Sequence, residues 1–450
     1  MKKKLTVQEY VVVASMLFGL FFGAGNLIFP VHMGQMAGSQ LVPATLGFLI
    51  TGVGLPLLSV AALGISKSEG LFDLSRKVSR PYAYFFTCLL YLTIGPFFAI
   101  PRCATTAFTV GIEQAVPQAA LRLWLLVFSA VFFAAALLFS LFPGKILTWV
   151  GKILNPFFLL FLGILIIVAL VKPSAAISAV APEGAYASQA FSTGFLEGYN
   201  TMDVLAGLAF GIIVVQVIRE LGVTDADAVA SSTVKAGVFS SLLMALIYLA
   251  VTVVGAQSRG LFATSENGGI ALAQIARHYL GSAGLVILAA TVTLACLKTS
   301  VGLITSCAET FCGMFPKGPG YRAWAVLFTL ISFALSNFGL STIISYSVPV
   351  LMFLYPLAIA LVLLALFGRF YRHDRAVYIS VIVCTLLAAL YDLICALPEG
   401  LYDALHADAV QAFGLRVLPF AGAGLGWICP LALGFVIGLA VHLMQKFRTK

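Results

Sequence analysis

The chain is built almost entirely from apolar stretches of about twenty residues, the length that an α-helix needs to cross the hydrocarbon core of a bilayer. Of its 450 residues, 61% are hydrophobic and only 10% are charged, whereas soluble domains carry about 25% charged residues. Too few charges remain to solvate a surface of this size, so lipid is the expected solvent. The sequence therefore predicts an all-α integral membrane protein with about 12 transmembrane helices.

The candidate spans follow one another with short connections. They are Val7–Met36, Leu41–Ile65, Pro81–Ile112, Leu121–Leu141, Trp149–Val171, Phe191–Ile218, Val229–Ala256, Gly281–Met314, Arg322–Phe338, Thr342–Phe367, Val377–Leu397 and Val417–Leu443. The charged start resembles a signal peptide, but the apolar run continues too far and no small-residue cleavage site follows it. We therefore expect an uncleaved first span.

Positive charges gather on one side of these spans. With the N-terminus inside, 19 of the 26 Lys and Arg residues fall in cytoplasmic segments, as the positive-inside rule requires. The cytoplasmic set is Lys2, Lys3, Lys4, Lys67, Arg76, Lys77, Arg80, Lys145, Lys152, Arg219, Lys235, Lys317, Arg322, Arg369, Arg372, Arg375, Lys446, Arg448 and Lys450. Both termini are expected in the cytoplasm, and the net charge of +9 reflects topology rather than nucleic-acid binding.

Two spans contain interruptions that a continuous membrane helix would not carry. The first span holds Gly23, Ala24, Gly25 and Asn26, and the sixth holds Glu197, Gly198, Tyr199, Asn200, Thr201 and Asp203. Irregular backbone at this depth survives only where it lines a cavity or a ligand, and intramembrane carboxylates are usually functional. Close packing of the glycines and an outer funnel that wets the two acids are the alternatives.

The two breaks lie five spans apart, which predicts an inverted repeat whose halves each begin with a discontinuous helix. The halves cover residues 1–172 and 190–368, and two additional helices occupy residues 376–450. Half-helix N-termini attract a carboxylate, and half-helix C-termini attract an ammonium group or a metal cation. A free amino acid carries both groups, so Gly23 to Asn26 are expected to meet its carboxylate and Glu197 to Thr201 its ammonium. Asp203 is expected to contribute to the same site.

The eighth span carries a second polar cluster. Thr299 and Ser300 offer two hydroxyls, which suit Na⁺ because a hard cation takes oxygen ligands, although such hydroxyls mostly bond back to their own helix. Lys298 precedes them. It is either a coupling residue that exchanges a proton or a side chain that points to a neighbouring segment.

Two further charged residues lie in apolar surroundings. Arg102, in the third span, is either an outer gate that pairs with Glu197 or Asp203 or a side chain that extends to the outer surface. Asp392, in the eleventh span, is interpreted as a structural or oligomer contact. The eight cysteines read as buried thiols. No phosphate loop, zinc-protease helix or nucleophile elbow is found, so an enzyme is not expected.

Three stretches together resemble the bacterial branched-chain amino acid:cation symporter family: Phe18–Pro30, Gly198–Asp203 with the following Leu205–Gly211, and Leu294–Leu297. The resemblance implies uptake of leucine, isoleucine and valine across the inner membrane, coupled to Na⁺ or, in some members, to H⁺. It also implies the five-plus-five fold of the amino acid/polyamine/organocation superfamily.

By the same resemblance, a sodium site falls on the carbonyls of Gly19, Phe22 and Cys296 and on the hydroxyls of Thr299 and Ser300. A neutral residue is expected at position 298, where this chain has Lys298. No cofactor and no obligatory protein partner are expected. The alternatives are a proton-coupled transporter of another small apolar amino acid, a channel, which would need a continuous polar pore, and an intramembrane enzyme.

Overall fold

Helices make up most of the computed structural model, which describes residues 4–66, 68, 70–141 and 146–448. Within these residues no strand is present, which confirms the all-α prediction. Five of the positive residues used to orient the chain lie outside the described residues: Lys2, Lys3, Lys67, Lys145 and Lys450.

Nine α-helices fall in the first 172 residues of the described chain and ten in the remainder. The first group is α1 (Val7–Phe21), α2 (Gly25–Ala37), α3 (Leu41–Leu49), α4 (Leu55–Ile65), α5 (Leu71–Arg76), α6 (Arg80–Leu92), α7 (Ala99–Gly111), α8 (Leu121–Leu141) and α9 (Ile146–Val171). The second group is α10 (Tyr186–Glu197), α11 (Asp203–Glu220), α12 (Ala226–Ser258), α13 (Gly268–Met314), α14 (Tyr321–Ser336), α15 (Leu340–Phe367), α16 (Arg375–Cys395), α17 (Glu399–Ala404), α18 (Asp408–Val417) and α19 (Ile428–Arg448).

By length and composition, eight helical segments of the described chain are able to cross a membrane, so the protein is a multi-pass membrane protein. Three shorter apolar helices, Val7–Gly19, Leu159–Val171 and Tyr321–Ser336, accompany them. Breaks explain part of the difference from twelve, because a span that is divided in two leaves pieces too short to cross alone. The count of twelve and the five-plus-five repeat remain predictions.

The first span divides where the sequence predicts. In a continuous helix the amide of Gly23 would donate to the carbonyl of Gly19, four residues earlier. Here it donates instead to Oδ1 of Asn26 over 2.9 Å. The helix α1 therefore ends at Phe21, and α2 begins at Gly25.

The sixth span also divides at the predicted place. After Glu197 the chain makes a 3₁₀ turn over Gly198–Thr201, and Met202 then adopts a left-handed conformation with φ of 62°. A left-handed residue other than glycine costs roughly 1–2 kcal/mol. The helix is thereby interrupted before α11 begins at Asp203.

Two further interruptions are not predicted by the sequence analysis. A π-helical turn over Ile50–Gly54 joins α3 to α4, and a second over Thr93–Phe97 joins α6 to α7. In the second turn Gly95 leaves helical geometry and Pro96 has no amide to donate. The third predicted span is therefore divided in the structure.

Close helix packing brings the breaks together. Helix α2 runs along α12, α10 along α3, α11 along α4, and α7 along α13. Small residues set these distances: a Cβ on Gly194 would collide with the Ala44 backbone, and one on Gly47 with the Phe191 carbonyl. Because α3 and α10 touch through their backbones, the turn after α10 is held against α2.

Candidate functional site

A small cavity of about 50 Å³ lies where the two broken spans meet the third and eighth spans. It is lined by Phe21, Gly23, Ala24, Gly25, Asn26, Ile94, Ala99, Arg102, Cys103, Thr201, Met202, Asp203, Ala206, Phe210, Thr299 and Leu303. Two helix N-termini, those of α2 and α11, contribute residues to its wall. The wall therefore combines apolar side chains with a few polar groups, the composition typical of a small-molecule site.

A buried hydrogen-bond network ties the first break to the sixth span. Oδ2 of Asp203 accepts a hydrogen bond from Nδ2 of Asn26 over 2.6 Å and another from the Tyr248 hydroxyl over 3.1 Å. The Asn26 amide also contacts the Tyr248 hydroxyl. Asp203 is only 1% exposed, so its carboxylate depends on these donors for stabilisation. The network fixes the carboxylate at the edge of the cavity.

Arg102 points into the cavity, not to the outer surface. Its residue exposure is 3%, and its guanidinium lies over the Phe29 ring, 5.0 Å from the centroid. A Cβ built on Gly25 would lie 3.0 Å from Nη2, so the missing side chain leaves room for the guanidinium. Nη1 has no hydrogen-bond partner. The alternative in which Arg102 extends to the outer surface is therefore wrong.

Four residues predicted to meet the substrate do not line the cavity: Glu197, Gly198, Tyr199 and Asn200. Their positions follow from the tight 3₁₀ turn. The Glu197 carboxylate accepts from Asn200 Nδ2 over 3.3 Å, and the Tyr199 ring stacks on Tyr355 with centroids 4.0 Å apart. Gly198 packs against the Thr51 side chain. Six of the predicted substrate residues do reach the cavity, namely Gly23, Ala24, Gly25, Asn26, Thr201 and Asp203.

The residues predicted for sodium do not share one cavity. Gly19, Phe22 and Cys296 line a second cavity of about 10 Å³ beside the first break. The Thr299 side chain lies in the larger cavity and donates to the Ala295 carbonyl over 3.1 Å. Ser300 is buried near the Cys103 thiol and lines neither cavity.

Backbone carbonyl and hydroxyl oxygens are the main cation ligands available beside the first break. The described residues contain no group of three His, Cys, Asp or Glu side chains arranged to hold a metal. The amide of Gly23 donates to Asn26, so the Gly19 carbonyl is released from its usual helical partner. Carbonyls at a helix C-terminus carry partial negative charge, which favours a cation.

Lys298 and Asp392, the two other charged residues singled out in the sequence, lie apart from the cavity. Lys298 is half-buried and lines neither cavity. Asp392 is 3% exposed within the fold of α16, and its Oδ2 has no hydrogen-bond partner. Burial inside the chain argues against an oligomer contact for Asp392, and a structural role remains a prediction.

Some residues of the candidate site escape the sequence analysis. Tyr248 completes the network at Asp203 although it lies 45 residues away, in the seventh predicted span. A tyrosine in the middle of an apolar span is the signal that was available. Ile94, by contrast, lies in the third-span stretch Tyr91–Ile100 that was expected to supply apolar groups, and it lines the cavity beside the break at Thr93–Phe97.

Comparison with known proteins gives one family across nearly the whole chain. The sequence model of the family described as branched-chain amino acid transport protein matches residues 6–445. The branched-chain amino acid permease BrnQ of Lactobacillus delbrueckii subsp. lactis is 53% identical over 449 residues, with 100% of both chains covered. The permease BrnQ of Bacillus subtilis (strain 168) is 39% identical over 451 residues, again with 100% of both chains covered.

Solved structures give a consistent fold. The inward-facing conformation of Mhp1 matches with a TM-score of 0.61 and 15% identity, and covers 98% of this chain and 91% of Mhp1. MhsT in complex with L-phenylalanine matches with a TM-score of 0.58 and 16% identity, and covers 98% of this chain and 99% of MhsT. The chain therefore shares the fold of these two proteins.

Proposed function

The chain belongs to the branched-chain amino acid transport protein family, and from that premise we propose that it imports leucine, isoleucine and valine together with Na⁺. One observation carries the proposal: a cavity at two helix breaks combines helix N-termini, a buried carboxylate and apolar walls. Both relatives described above are named as permeases, not enzymes, in agreement with the prediction of a non-enzymatic protein.

The groups that line the cavity suit the separate parts of a branched-chain amino acid. The first amides of α2 have no carbonyl one turn earlier to bind, so they favour a carboxylate. Asp203 offers negative charge to an ammonium group. Ile94, Phe210 and Leu303 provide apolar contacts for a branched side chain. One methylene changes binding by only about 1–3 kcal/mol in such a pocket, so leucine, isoleucine and valine should compete with one another, whereas aspartate, lysine and glycine should not.

Sodium coupling is supported by the oxygen atoms beside the first break. The Gly19 carbonyl belongs to the last turn of α1, Phe22 directly follows that helix, and Cys296 lines the same small cavity from α13. Thr299 lies within reach of the same break, since its Oγ1 is 3.8 Å from a Cβ built on Gly23. A rotation of the Thr299 hydroxyl away from the Ala295 carbonyl would give Na⁺ a fourth oxygen. Ser300 would have to turn from Cys103 to give a fifth.

Transport is proposed to proceed by alternating access in the bacterial inner membrane. Twelve spans, two inverted five-helix repeats and two cytoplasmic termini are part of the same proposal. The fold shared with Mhp1 and MhsT and the two breaks five spans apart support it. In such folds one bundle rocks against the other around a site near the middle of the membrane.

Reconstitution into proteoliposomes tests the proposal. Uptake of labelled leucine is measured with a sodium gradient alone, a proton gradient alone, and neither. We expect accumulation above the external concentration with sodium alone, and recovery of chemically unchanged leucine. Equilibration without accumulation would indicate a channel, and conversion of the label would indicate an enzyme. Full uptake in sodium-free buffer, driven by the pH gradient, would support proton coupling, for which Lys298→Met is the variant to compare.

A further inference from the structure

Arg102 presents a charge that the protein itself does not neutralise. Its guanidinium is buried, Nη1 has no partner, and within the described residues it forms no ion pair. A buried charge without a partner is costly. The N-termini of α2 and α11 add positive potential at the same cavity. Two helix ends and one guanidinium therefore converge on a place where the protein supplies a single carboxylate.

That carboxylate does not satisfy the guanidinium. Oδ2 of Asp203 is held by Asn26 and Tyr248, and within the described residues no salt bridge joins it to Arg102. Asp203 nevertheless lines the same cavity. One positive and one negative group thus face a common space without contacting each other, which is the arrangement that a zwitterion would complete.

We propose that Arg102 binds the carboxylate of the transported amino acid while Asp203 receives its ammonium group. The inference rests on the proposed function and adds a specificity rule to it. A ligand that carries both charges is preferred, so an amine or a carboxylic acid with the same branched chain should bind more weakly than the amino acid. The α2 amides then share the carboxylate with Arg102 and do not bind it alone.

The surroundings of Arg102 hold the guanidinium in a form suited to this role. The Phe29 ring supports one face of the planar group, and Gly25 allows Nη2 to approach the start of α2. Nη1 is left for a ligand. A guanidinium presents its donors as a rigid fork that matches a carboxylate, which a lysine ammonium does not.

A purely structural role for Arg102 makes a different prediction. A structural arginine would hold protein acceptors, and its removal would lower stability. The unpartnered guanidinium is instead a cost that a neutral residue relieves. Arg102→Gln should therefore leave the Tm of the purified protein unchanged or higher when no ligand is added.

The test measures ligand-induced increases in Tm, and Kd by calorimetry, for the full-length purified protein. The ligands are leucine, leucinamide, which lacks the carboxylate charge, and 4-methylpentanoate, which lacks the ammonium. The variants are Arg102→Gln, Arg102→Lys and Asp203→Asn, with Arg322→Gln, an exposed arginine at the start of α14, as the control. A panel of other neutral amino acids is included.

We expect Arg102→Gln to weaken leucine binding roughly 10- to 100-fold, as for loss of a charge-assisted hydrogen bond, with little change for leucinamide. The leucine affinity of Arg102→Lys should lie between those of the natural protein and Arg102→Gln. Asp203→Asn should leave the binding of 4-methylpentanoate unchanged.

Three outcomes would each overturn the assignment while leaving the proposed function intact. They are equal losses of leucine and leucinamide binding in Arg102→Gln, unchanged binding of both ligands in that variant, and a lower Tm of that variant without ligand. If no amino acid binds the unaltered protein, the proposed function fails and this assignment with it. If another neutral amino acid binds and depends on Arg102, only the proposed substrates are wrong.

Discussion

Gly25 controls the cavity at the scale of a single residue. A Cβ at this position would lie 3.0 Å from Arg102 Nη2 and 3.3 Å from the Phe29 ring. Gly25→Leu should therefore abolish leucine uptake while the protein still inserts into the membrane, because a bulky side chain displaces the guanidinium and fills the space beside the break. Uptake is measured in vesicles with equal amounts of protein. Gly163→Leu, where a Cβ meets nothing within 4 Å, is the matched control. Normal transport by Gly25→Leu would move the site elsewhere.

The hydroxyls of Thr299 and Ser300 should differ in their effect on sodium. Thr299 lies against the first break, whereas Ser300 lies near Cys103. Thr299→Ala should raise the Na⁺ concentration for half-maximal uptake several-fold, as expected for loss of one oxygen ligand worth about 1 kcal/mol. Ser300→Ala should have a smaller effect. Sodium titration of leucine uptake measures both, and equal shifts would show that Ser300 turns toward the ion.

Single site residues are easiest to predict where a break in the helix backbone requires a particular residue type. Gly23, Gly25 and Asn26 stand out because glycine and asparagine interrupt an apolar run, and all three line the cavity. Arg102 was ambiguous because a long side chain can reach either a site or the surface. The contact of α7 with α13 and the space at Gly25 place the guanidinium at the site and not at the surface. Neither feature can be read from the sequence.

At the scale of helices, Gly194 sets the contact between α3 and α10. A Cβ there would collide with the Ala44 backbone, which has no flexible end to move aside. Gly194→Ala should destabilise the purified protein by about 1–3 kcal/mol, the usual cost of overpacking. Gly163→Ala, in open surroundings on α9, should be neutral or slightly stabilising. Thermal unfolding in detergent measures both, and equal Tm values would mean that the two helices separate without cost.

Helix breaks were predictable only where polar residues marked them. The first and sixth spans carry Asn26 and two carboxylates, and both divide as predicted. The third span divides at Gly95 and Pro96, yet prolines are tolerated in many membrane helices, so the sequence alone did not separate a kink from a break. The π turn at Ile50–Gly54 has no polar marker other than Thr51.

Across the whole molecule, Glu183 and Arg259 join two separate connections, one between α9 and α10 and the other between α12 and α13. Arg259 Nη1 lies 2.5 Å from Glu183 Oε1 and donates to the Gln35 carbonyl at the end of α2. The hydrogen bond from Thr264, and then the contact with Arg259, hold the pKa of Glu183 below its ordinary value. A carboxylate with a lowered pKa stabilises the fold at pH values above its unfolded pKa, about 4.3, and this contribution is lost as the pH falls through the folded pKa.

The Tm difference between the natural protein and Glu183→Gln should therefore shrink as the pH is lowered from 6 to 3. The full contribution is expected to be about 1 kcal/mol or less, because the pair is partly exposed. Thermal scans at each pH measure it. A difference that is constant over this range would contradict the assignment of the stabilisation to the ionised carboxylate.

The orientation of the whole chain is a separate prediction. The charge asymmetry places both termini in the cytoplasm and the connection after α9 outside. A fluorescent protein fused after Arg448 should fold and fluoresce, whereas alkaline phosphatase inserted near Lys172 should be active. The opposite pattern would reverse the orientation, and with it the direction in which each gate opens.

The network at Asp203 has a consequence for how the protein is made. Asn26 finds its partners only 177 residues later at Asp203 and 222 residues later at Tyr248. At bacterial synthesis rates of roughly 5–20 residues per second, the first of these partners emerges from the ribosome on the order of 10–35 s after Asn26. During that interval the broken first helix holds an unpaired amide in or near the bilayer. Its stable insertion must therefore wait for the second half of the chain, and nascent chains truncated before Asp203 should be favoured substrates for membrane proteases.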